Sequence, residues 1–364
     1  MNSNYCVLPF VHSCTNVGGR NKPCCRFSDQ SYNDQVSPLD YFNGDKINLL
    51  RNKMLNGEII KGCDKCHAEE SLGKQSYRQR SNNQYKEYID KQPTLKFIEI
   101  GLSNACNFGC VTCDAAYSTT WWQDIDDVNA IGANKAKPDQ KVVYTDSKFN
   151  DFSNIDRIKI LGGEPFMEPR NLEFLKKCNL KNIELELVTN GSILPNNEWQ
   201  EILQQLKYVN LDISLDGHGE IAEYVRYGTN WKKLESNINW WKQWWSNNNN
   251  ITIKSHFVVH ALNAFDLHNY LEWQKKFKWK TTFDILQMPE YLNIKILPTE
   301  MKKEILEKVD IKNVTNYLTK HMNIFDKDQC SLLTNYVSVL NKKRNHDLQQ
   351  INKLMDRLNE ATNR

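Results

Sequence analysis

Between residues 93 and 298 the sequence predicts an α/β fold, a partial (β/α)6 TIM-like barrel. A small Cys-rich module precedes it, over residues 1–92, and a C-terminal helical tail follows it, over 299–364. Three observations carry this reading. Six apolar strand-like runs alternate with helical patterns in the middle of the chain. Nine of the eleven cysteines fall before residue 114. Beyond residue 298 the strand pattern stops and only helical periods remain.

The six runs are 95–102, 155–161, 182–188, 209–215, 251–259 and 281–286. Helical patterns follow the first five: a run through Trp121-Trp122, then 171–178, 196–206, 231–245 and 265–277. Near-continuous apolar strands separated by helices imply a parallel sheet covered by those helices. A complete eightfold barrel typically takes about 250 residues, so six strands in this length give a partial one. Trp240, Trp241, Trp244 and Trp245 recur at helical spacing and read as one packed face.

Composition bounds the function. With 364 residues, 40% of them hydrophobic, the chain can bury a large core. A formal charge of +3 is too small to imply nucleic acid or an anionic membrane. No apolar run approaches the roughly 18 residues that span a bilayer, and the first residues lack a signal-peptide pattern. A cytoplasmic protein is expected, and eleven cysteines there argue for metal binding rather than disulfides. Cys178 and Cys330 stand apart in helical patterns and read as small buried hydrophobes.

The first 92 residues are loop-rich. Short apolar pieces are broken by Gly18-Gly19, Pro23, Asn43-Gly44 and Gly57, so the module needs a staple. Cys6, Cys24 or Cys25, and Cys63 with Cys66 supply four ligands, which on spacing alone suit zinc as well as a cluster. Cys14 has no obvious partner. Residues 67–92 read as a helix and linker, with Glu69, Glu70, Arg78 and Arg80 as solvated charges; Pro93 opens the next domain.

In parallel α/β architectures, chemistry sits at the C-terminal ends of strands. Four polar or Gly-rich segments fall there. Cys106-Asn107-Phe108-Gly109-Cys110-Val111-Thr112-Cys113 follows the first strand and Gly162-Gly163-Glu164-Pro165 the second. Thr189-Asn190-Gly191 follows the third, and Ser214-Leu215-Asp216-Gly217 closes the fourth. Three thiols at C-x3-C-x2-C spacing can curl around one face of a metal cluster, with Gly109 expected to let the backbone turn. Three thiolates on a four-iron cluster leave one iron open to a substrate or cofactor. The two glycines at 162 and 163 allow close backbone approach to a ligand, and the Glu164 carboxylate can accept from an ammonium.

At these residues the chain resembles the radical S-adenosylmethionine (SAM) superfamily. Cys106, Cys110 and Cys113 match the cysteines of its C-x3-C-x-aromatic-C motif, departing from it at Thr112. Gly162-Gly163-Glu164-Pro165 matches the G-G-E-P motif. The resemblance implies a [4Fe–4S] cluster on the three cysteines and S-adenosyl-L-methionine on the open iron, its amino group held at Gly162, Gly163 and Glu164. Asn190 is an expected hydrogen-bonding partner of SAM. Ser214 and Arg226, in a segment similar to one that follows the fourth strand of SPASM-containing relatives, are expected at the SAM carboxylate. Tyr117, Trp121 and Trp122 are expected to shield the cluster.

Cys6-Val7-Leu8-Pro9-Phe10, Pro23-Cys24-Cys25, Leu50-Arg51 and Gly62-Cys63-Asp64-Lys65-Cys66 resemble the SPASM and twitch modules, which bind an auxiliary iron–sulfur cluster. That pattern favours Cys24 over Cys25, beside Cys6, Cys63 and Cys66. Such modules usually follow the barrel; here the resemblance precedes it. The whole resemblance covers roughly residues 5 to 290. It implies reductive cleavage of SAM to a 5′-deoxyadenosyl radical, hydrogen abstraction from a peptide or protein substrate, and an external one-electron reductant of the flavodoxin or ferredoxin type. The alternatives are a small-metabolite substrate, a zinc-binding interaction protein with an inactive barrel, and a nucleic-acid-modifying enzyme. The tail, with Lys342-Lys343-Arg344 read as a solvated face, carries no chemistry in this reading.

Overall fold

Alternation within the strands sets up the sheet. In the computed structural model, which describes residues 4–71, 73, 75–136, 152 and 154–363, the strands are β1 (His12–Thr15), β2 (Asn21–Lys22), β3 (Phe97–Gly101), β4 (Gly109–Cys110), β5 (Arg157–Leu161), β6 (Glu184–Thr189), β7 (Tyr208–Ser214), β8 (Arg226–Tyr227), β9 (Ile251–Val259) and β10 (Thr281–Ile285). All six expected runs form strands. The protein is α/β, with a mostly parallel sheet accompanied by helices. Among the described residues, no helix is long and apolar enough to cross a membrane.

The chain divides into two compact units. The first holds residues 1–103, 140–187 and 195–210, so the cysteine-rich stretch lies wholly within it. Its strands run in the order β2-β1-β3-β5-β6-β7. β1–β3, β3–β5 and β5–β6 are parallel ladders, with Ile98 opposite Ile158 and Ile158 opposite Leu185. Ile98, Ile158, Ile160, Leu185 and Leu187 are buried along one face. The other face is charged, and Arg157 and Lys159 both pair with Glu186 there. The strands are therefore amphipathic, where continuous apolar runs were expected.

β1 was not legible as a strand. His12-Ser13-Cys14-Thr15 is polar, yet every residue of it is buried. Local bonds satisfy much of that polarity: His12 Nδ1 meets Pro23 O at 2.9 Å, and Thr15 Oγ1 donates to Asn21 at 2.5 Å. Below the sheet, Leu8, Phe27, Tyr32, Tyr41, Ile47, Leu50, Met54 and Ile60 build a small core around Cys6. Glu70 and Arg78 are not solvated charges. They pair with one another, and Arg78 also donates to Tyr5 O at 2.9 Å. A carboxylate partner and a backbone carbonyl offset the cost of burying that guanidinium.

The second unit holds residues 104–139, 188–194 and 211–364, including the whole tail. β6 and β7 continue into it, followed by β9 and β10, a parallel pair with Phe257 opposite Phe283. A separate two-residue ladder joins β4 to β8. Helix Trp231–Ser246 buries Trp241 and stacks Trp240 on Trp244, as its tryptophan spacing implies. The tail folds as helices Thr299–Lys308, Lys312–Lys320, Lys327–Arg344 and Gln349–Thr362. Cys330 is fully buried within the third of these.

Just beyond β9, His260 is fully buried and accepts from Leu262 N through Nδ1. Burial holds its pKa down at about 4. The folded imidazole then stays neutral where the unfolded one protonates, so stability falls as pH drops below about 6.5. Between pH 7.5 and pH 5 the loss from this group is about 2 kcal/mol. Urea unfolding at the two pH values should show it, and His260→Gln should flatten the slope by about that amount.

Candidate iron–sulfur and SAM site

The cysteine loop is irregular backbone, so its polar groups need partners. The second unit supplies them at nearly every carbonyl. Thr120 Oγ1 donates to Cys106 O at 2.7 Å and Ser118 Oγ to Phe108 O at 2.6 Å. Arg344 Nη1 donates to Gly109 O at 2.8 Å, and Trp121 Nε1 to Cys110 O at 2.9 Å. Tyr336 OH reaches Val111 O at 2.8 Å. Lys135 Nζ is shared between Val111 O and Cys113 O, at 3.0 and 2.5 Å.

Two of those donors come from the tail, whose Lys342-Lys343-Arg344 was expected to form a solvated face. Tyr336 and Arg344 lie on helix Lys327–Arg344. Arg344 is not on a solvated face; it is buried and pairs with buried Asp124 at 2.8 Å. Gly109 also has a different use from the expected tight turn. It sits in β4, and a Cβ there would lie 3.1 Å from the Arg344 guanidinium, so the missing side chain makes room for the arginine. Trp121 is fully buried against the loop, whereas Tyr117 and Trp122 are each more than 40% exposed.

The β4–β8 ladder sets Arg226 directly opposite Cys110. Arg226 Nη1 donates to Asp216 at 2.6 Å, and Asp216 is fixed in turn by Val258 N at 2.8 Å. Burial works against the Arg226 charge, but Cys110 and Asp216 raise its pKa above the usual value. Its Nε is buried without a hydrogen-bond partner. Asn190 Nδ2 donates to Asn107 Oδ1 at 2.9 Å and lies 3.9 Å from Cys106 Sγ. Gly228, at φ +100°, lets the chain after β8 pass the loop; a Cβ there would fall 2.5 Å from Asn107 O. Ser214 ends β7.

Burial pushes the Cys110 thiol up to about 11 and Cys113 to about 12, and the neighbouring cysteines add to both shifts. Several buried thiolates repel one another unless a cation sits among them. A metal core would displace the protons and supply that cation. Among the described residues no three or more His, Cys, Asp or Glu side chains converge on one ion. A single zinc needs such convergence, whereas a multi-iron cluster spreads its thiolates over several metal atoms. The donor set fits a cluster.

In the first unit, Gly162 takes φ +115°, and a Cβ there would lie 2.2 Å from Ser103 O; Gly163 N donates to the same carbonyl at 3.0 Å. Glu164 is buried, and its carboxylate accepts from Phe166 N. The auxiliary cysteines also belong to this unit. Cys6, Cys24, Cys63 and Cys66 line one space of about 300 Å³, together with Arg26, Tyr77 and Arg78 among others. Gly62 is part of that wall, and a Cβ there would strike the Phe27 ring at 2.4 Å. Burial pushes Cys6 and Cys63 each up to about 12 and Cys24 well above its usual value.

Cys25 is not in that lining. It interacts with Glu99, as Cys14 and Tyr77 do, at 3.8 and 3.2 Å for the latter two. The sequence reading did not single out Glu99, Lys135 or Tyr336; a carboxylate inside an apolar strand was the one signal available, and it pointed to Glu99.

Residues 100–256 match the profile of the Radical SAM superfamily. The GTP 3′,8-cyclase of Alkaliphilus oremlandii (strain OhILAs) is 27% identical over 151 residues, which are 39% of this chain and 42% of that protein. The chain therefore spans less than half the length of that curated relative. Native anSMEcpe with bound AdoMet is similar at 18% identity and a TM-score of 0.39, over 62% of this chain and 61% of that one. Streptococcus suis SuiB bound to S-adenosylmethionine is similar at 13% identity and a TM-score of 0.38, over 92% and 73%.

The buried Asp216–Arg226 pair yields a measurable expectation. Asp216→Asn leaves Arg226 charged without its partner, which costs about 3–5 kcal/mol. Urea unfolding of the metal-free protein should show that loss as a lower midpoint at unchanged slope.

Proposed function

We propose that this chain is a radical SAM enzyme in which Cys106, Cys110 and Cys113 hold a [4Fe–4S] cluster whose fourth iron takes SAM; the match of residues 100–256 to the superfamily supports the reading. The observation that carries this is the loop itself: three cysteines on a backbone anchored at six carbonyls, with the Cys110 and Cys113 thiols raised by burial and by their neighbouring cysteines. Gly162, Gly163 and Glu164 would receive the SAM amino group, and Ser214 and Arg226 its carboxylate. Arg226 keeps its charge while buried, and its Nε retains donor capacity; a guanidinium with a spare donor suits a carboxylate. Asn190 would hydrogen-bond SAM or orient Asn107. When bound, the pair supplies a 5′-deoxyadenosyl radical that abstracts hydrogen from the substrate. An external one-electron donor of the flavodoxin or ferredoxin type would reduce it.

Residues 1–92 serve in this proposal as a SPASM/twitch-like auxiliary module ahead of a barrel over 93–298, with 299–364 as a helical extension. Cys6, Cys24, Cys63 and Cys66 would cap an auxiliary cluster. Four thiolates leave no iron open, which favours electron transfer or structural stapling over substrate binding. A peptide or protein substrate is favoured by the resemblance of this module to those of peptide-modifying family members. The second reading, a small-molecule substrate, is favoured by the name of the cyclase relative. A reducing cytoplasm suits eleven free cysteines.

Anaerobic reconstitution followed by iron and sulfide counting tests the assignment. The wild type should bind about eight irons, falling to about four in Cys106→Ala/Cys110→Ala/Cys113→Ala if both clusters are four-iron types. That variant should lose reductive cleavage of SAM; retained cleavage would refute the assignment. Cys24→Ala should lose auxiliary iron and Cys25→Ala should keep it.

A further inference from the structure

Lys135 is an unusual residue to find against a cysteine loop. It is 7% exposed. Its ammonium donates to Val111 O and Cys113 O and lies 4.6 Å from the Trp121 ring centre and 5.4 Å from that of Tyr336. Among the described residues, no carboxylate forms a salt bridge with it. The other two buried cations around the loop differ: Arg226 pairs with Asp216 and Arg344 with Asp124. A buried cation held only by carbonyls and ring faces is costly unless an anion lies near. The neighbouring anions are the Asp114 carboxylate, which acts on the ammonium without a salt bridge, and, once a metal core replaces their protons, the thiolates of Cys113 and Cys110.

We propose that Lys135 is a positioning residue for the loop's cluster: its fixed ammonium compensates the thiolate charge and makes the cluster easier to reduce. The inference rests on the cluster assignment above. Reduction adds one negative charge to the cluster. A cation hydrogen-bonded to the Cys113 carbonyl and acting electrostatically on Cys113 and Cys110 favours that more negative state, and removing it disfavours reduction. The ammonium also ties Val111 O to Cys113 O, bridging the last turn of the loop. Hydrogen bonds and local charge around ligating sulfurs are the levers by which a protein sets cluster potential.

Lys135→Met separates the charge from the packing, because Met fills the space between the rings and breaks no salt bridge among the described residues. Lys135→Gln keeps one donor for a loop carbonyl without the charge. The readout is the midpoint potential of the full-length protein, followed by electron paramagnetic resonance on the signal that changes when SAM is added. Both variants should bind as much iron as the wild type. In both, the reduction equilibrium should shift about tenfold toward the oxidised state, about 59 mV lower for one electron. Lys135→Arg should restore the wild-type potential.

A wild-type potential in Lys135→Gln overturns the role assigned to the charge. Loss of iron from both uncharged variants, with full iron in Lys135→Arg, would make the residue an assembly element and overturn the tuning role. A wild-type protein that takes up no iron on the three cysteines defeats the cluster assignment itself, and this inference with it. Should Lys135→Met fail to accumulate folded, Lys135→Gln carries the same expectation.

Discussion

The second unit depends on one constraint: a short irregular loop carrying three cysteines must keep its own backbone satisfied. An unpaired buried carbonyl costs roughly 1–3 kcal/mol, and this loop has no regular ladder beyond the two residues of β4 to absorb its carbonyls. Side chains absorb them instead. Thr120, Ser118 and Trp121 come from the segment just after the loop. Tyr336 and Arg344 come from the far end of the chain. The hydroxyls and the indole respond to local sequence, whereas the last two make helix Lys327–Arg344 part of the loop's frame.

That division explains what was legible. The cysteine spacing, the Gly-Gly-Glu-Pro turn and the six strand runs are local patterns, readable over windows of ten residues. Tyr336 meets Val111 across 225 positions and Arg344 meets Gly109 across 235. No period or spacing encodes such a pair. Arg344 followed two lysines and so looked like part of a solvated face, yet only Arg344 turns inward, because Asp124 stands buried opposite it. Arg78 was misread in the same way, its partner Glu70 lying across a turn between two short helices. β1 failed for the opposite reason. Its side chains are polar because they serve Pro23, Asn21 and Glu99, and strand membership is set by pairing with β3.

Charge follows the same logic around the loop. Three cations approach it from β8, from the residues after helix Ile125–Ala130 and from helix Lys327–Arg344. Two arrive with their own carboxylates, so they bring orientation and hydrogen bonds with little net charge. Asp216 does double duty, holding Arg226 through Oδ2 and the β9 backbone through Oδ1, so the guanidinium opposite Cys110 is positioned from two strands. Lys135 arrives without a salt-bridged carboxylate among the described residues; Asp114 acts on it electrostatically, but its ammonium donates to loop carbonyls.

The first unit poses the complementary problem, and adjacent cysteines solve it. Cys24 and Cys25 are consecutive, so a bend in the backbone sends their side chains apart. Cys24 joins Cys6, Cys63 and Cys66 around one space. Cys25 turns to the buried Glu99 carboxylate, where Cys14 and Tyr77 also donate. A carboxylate surrounded by thiols and a phenol is a poor neighbour for a thiolate, since like charges would accumulate. Glu99 therefore keeps Cys14 and Cys25 protonated: burial and this carboxylate push Cys25 up to about 11 and Cys14 well above its usual value. Six cysteines in the module thus sort physically into four that line one space and two that serve a carboxylate. A metal would have to replace the lost protons of several thiols at once, and the proposed auxiliary site draws on the set of four for that reason.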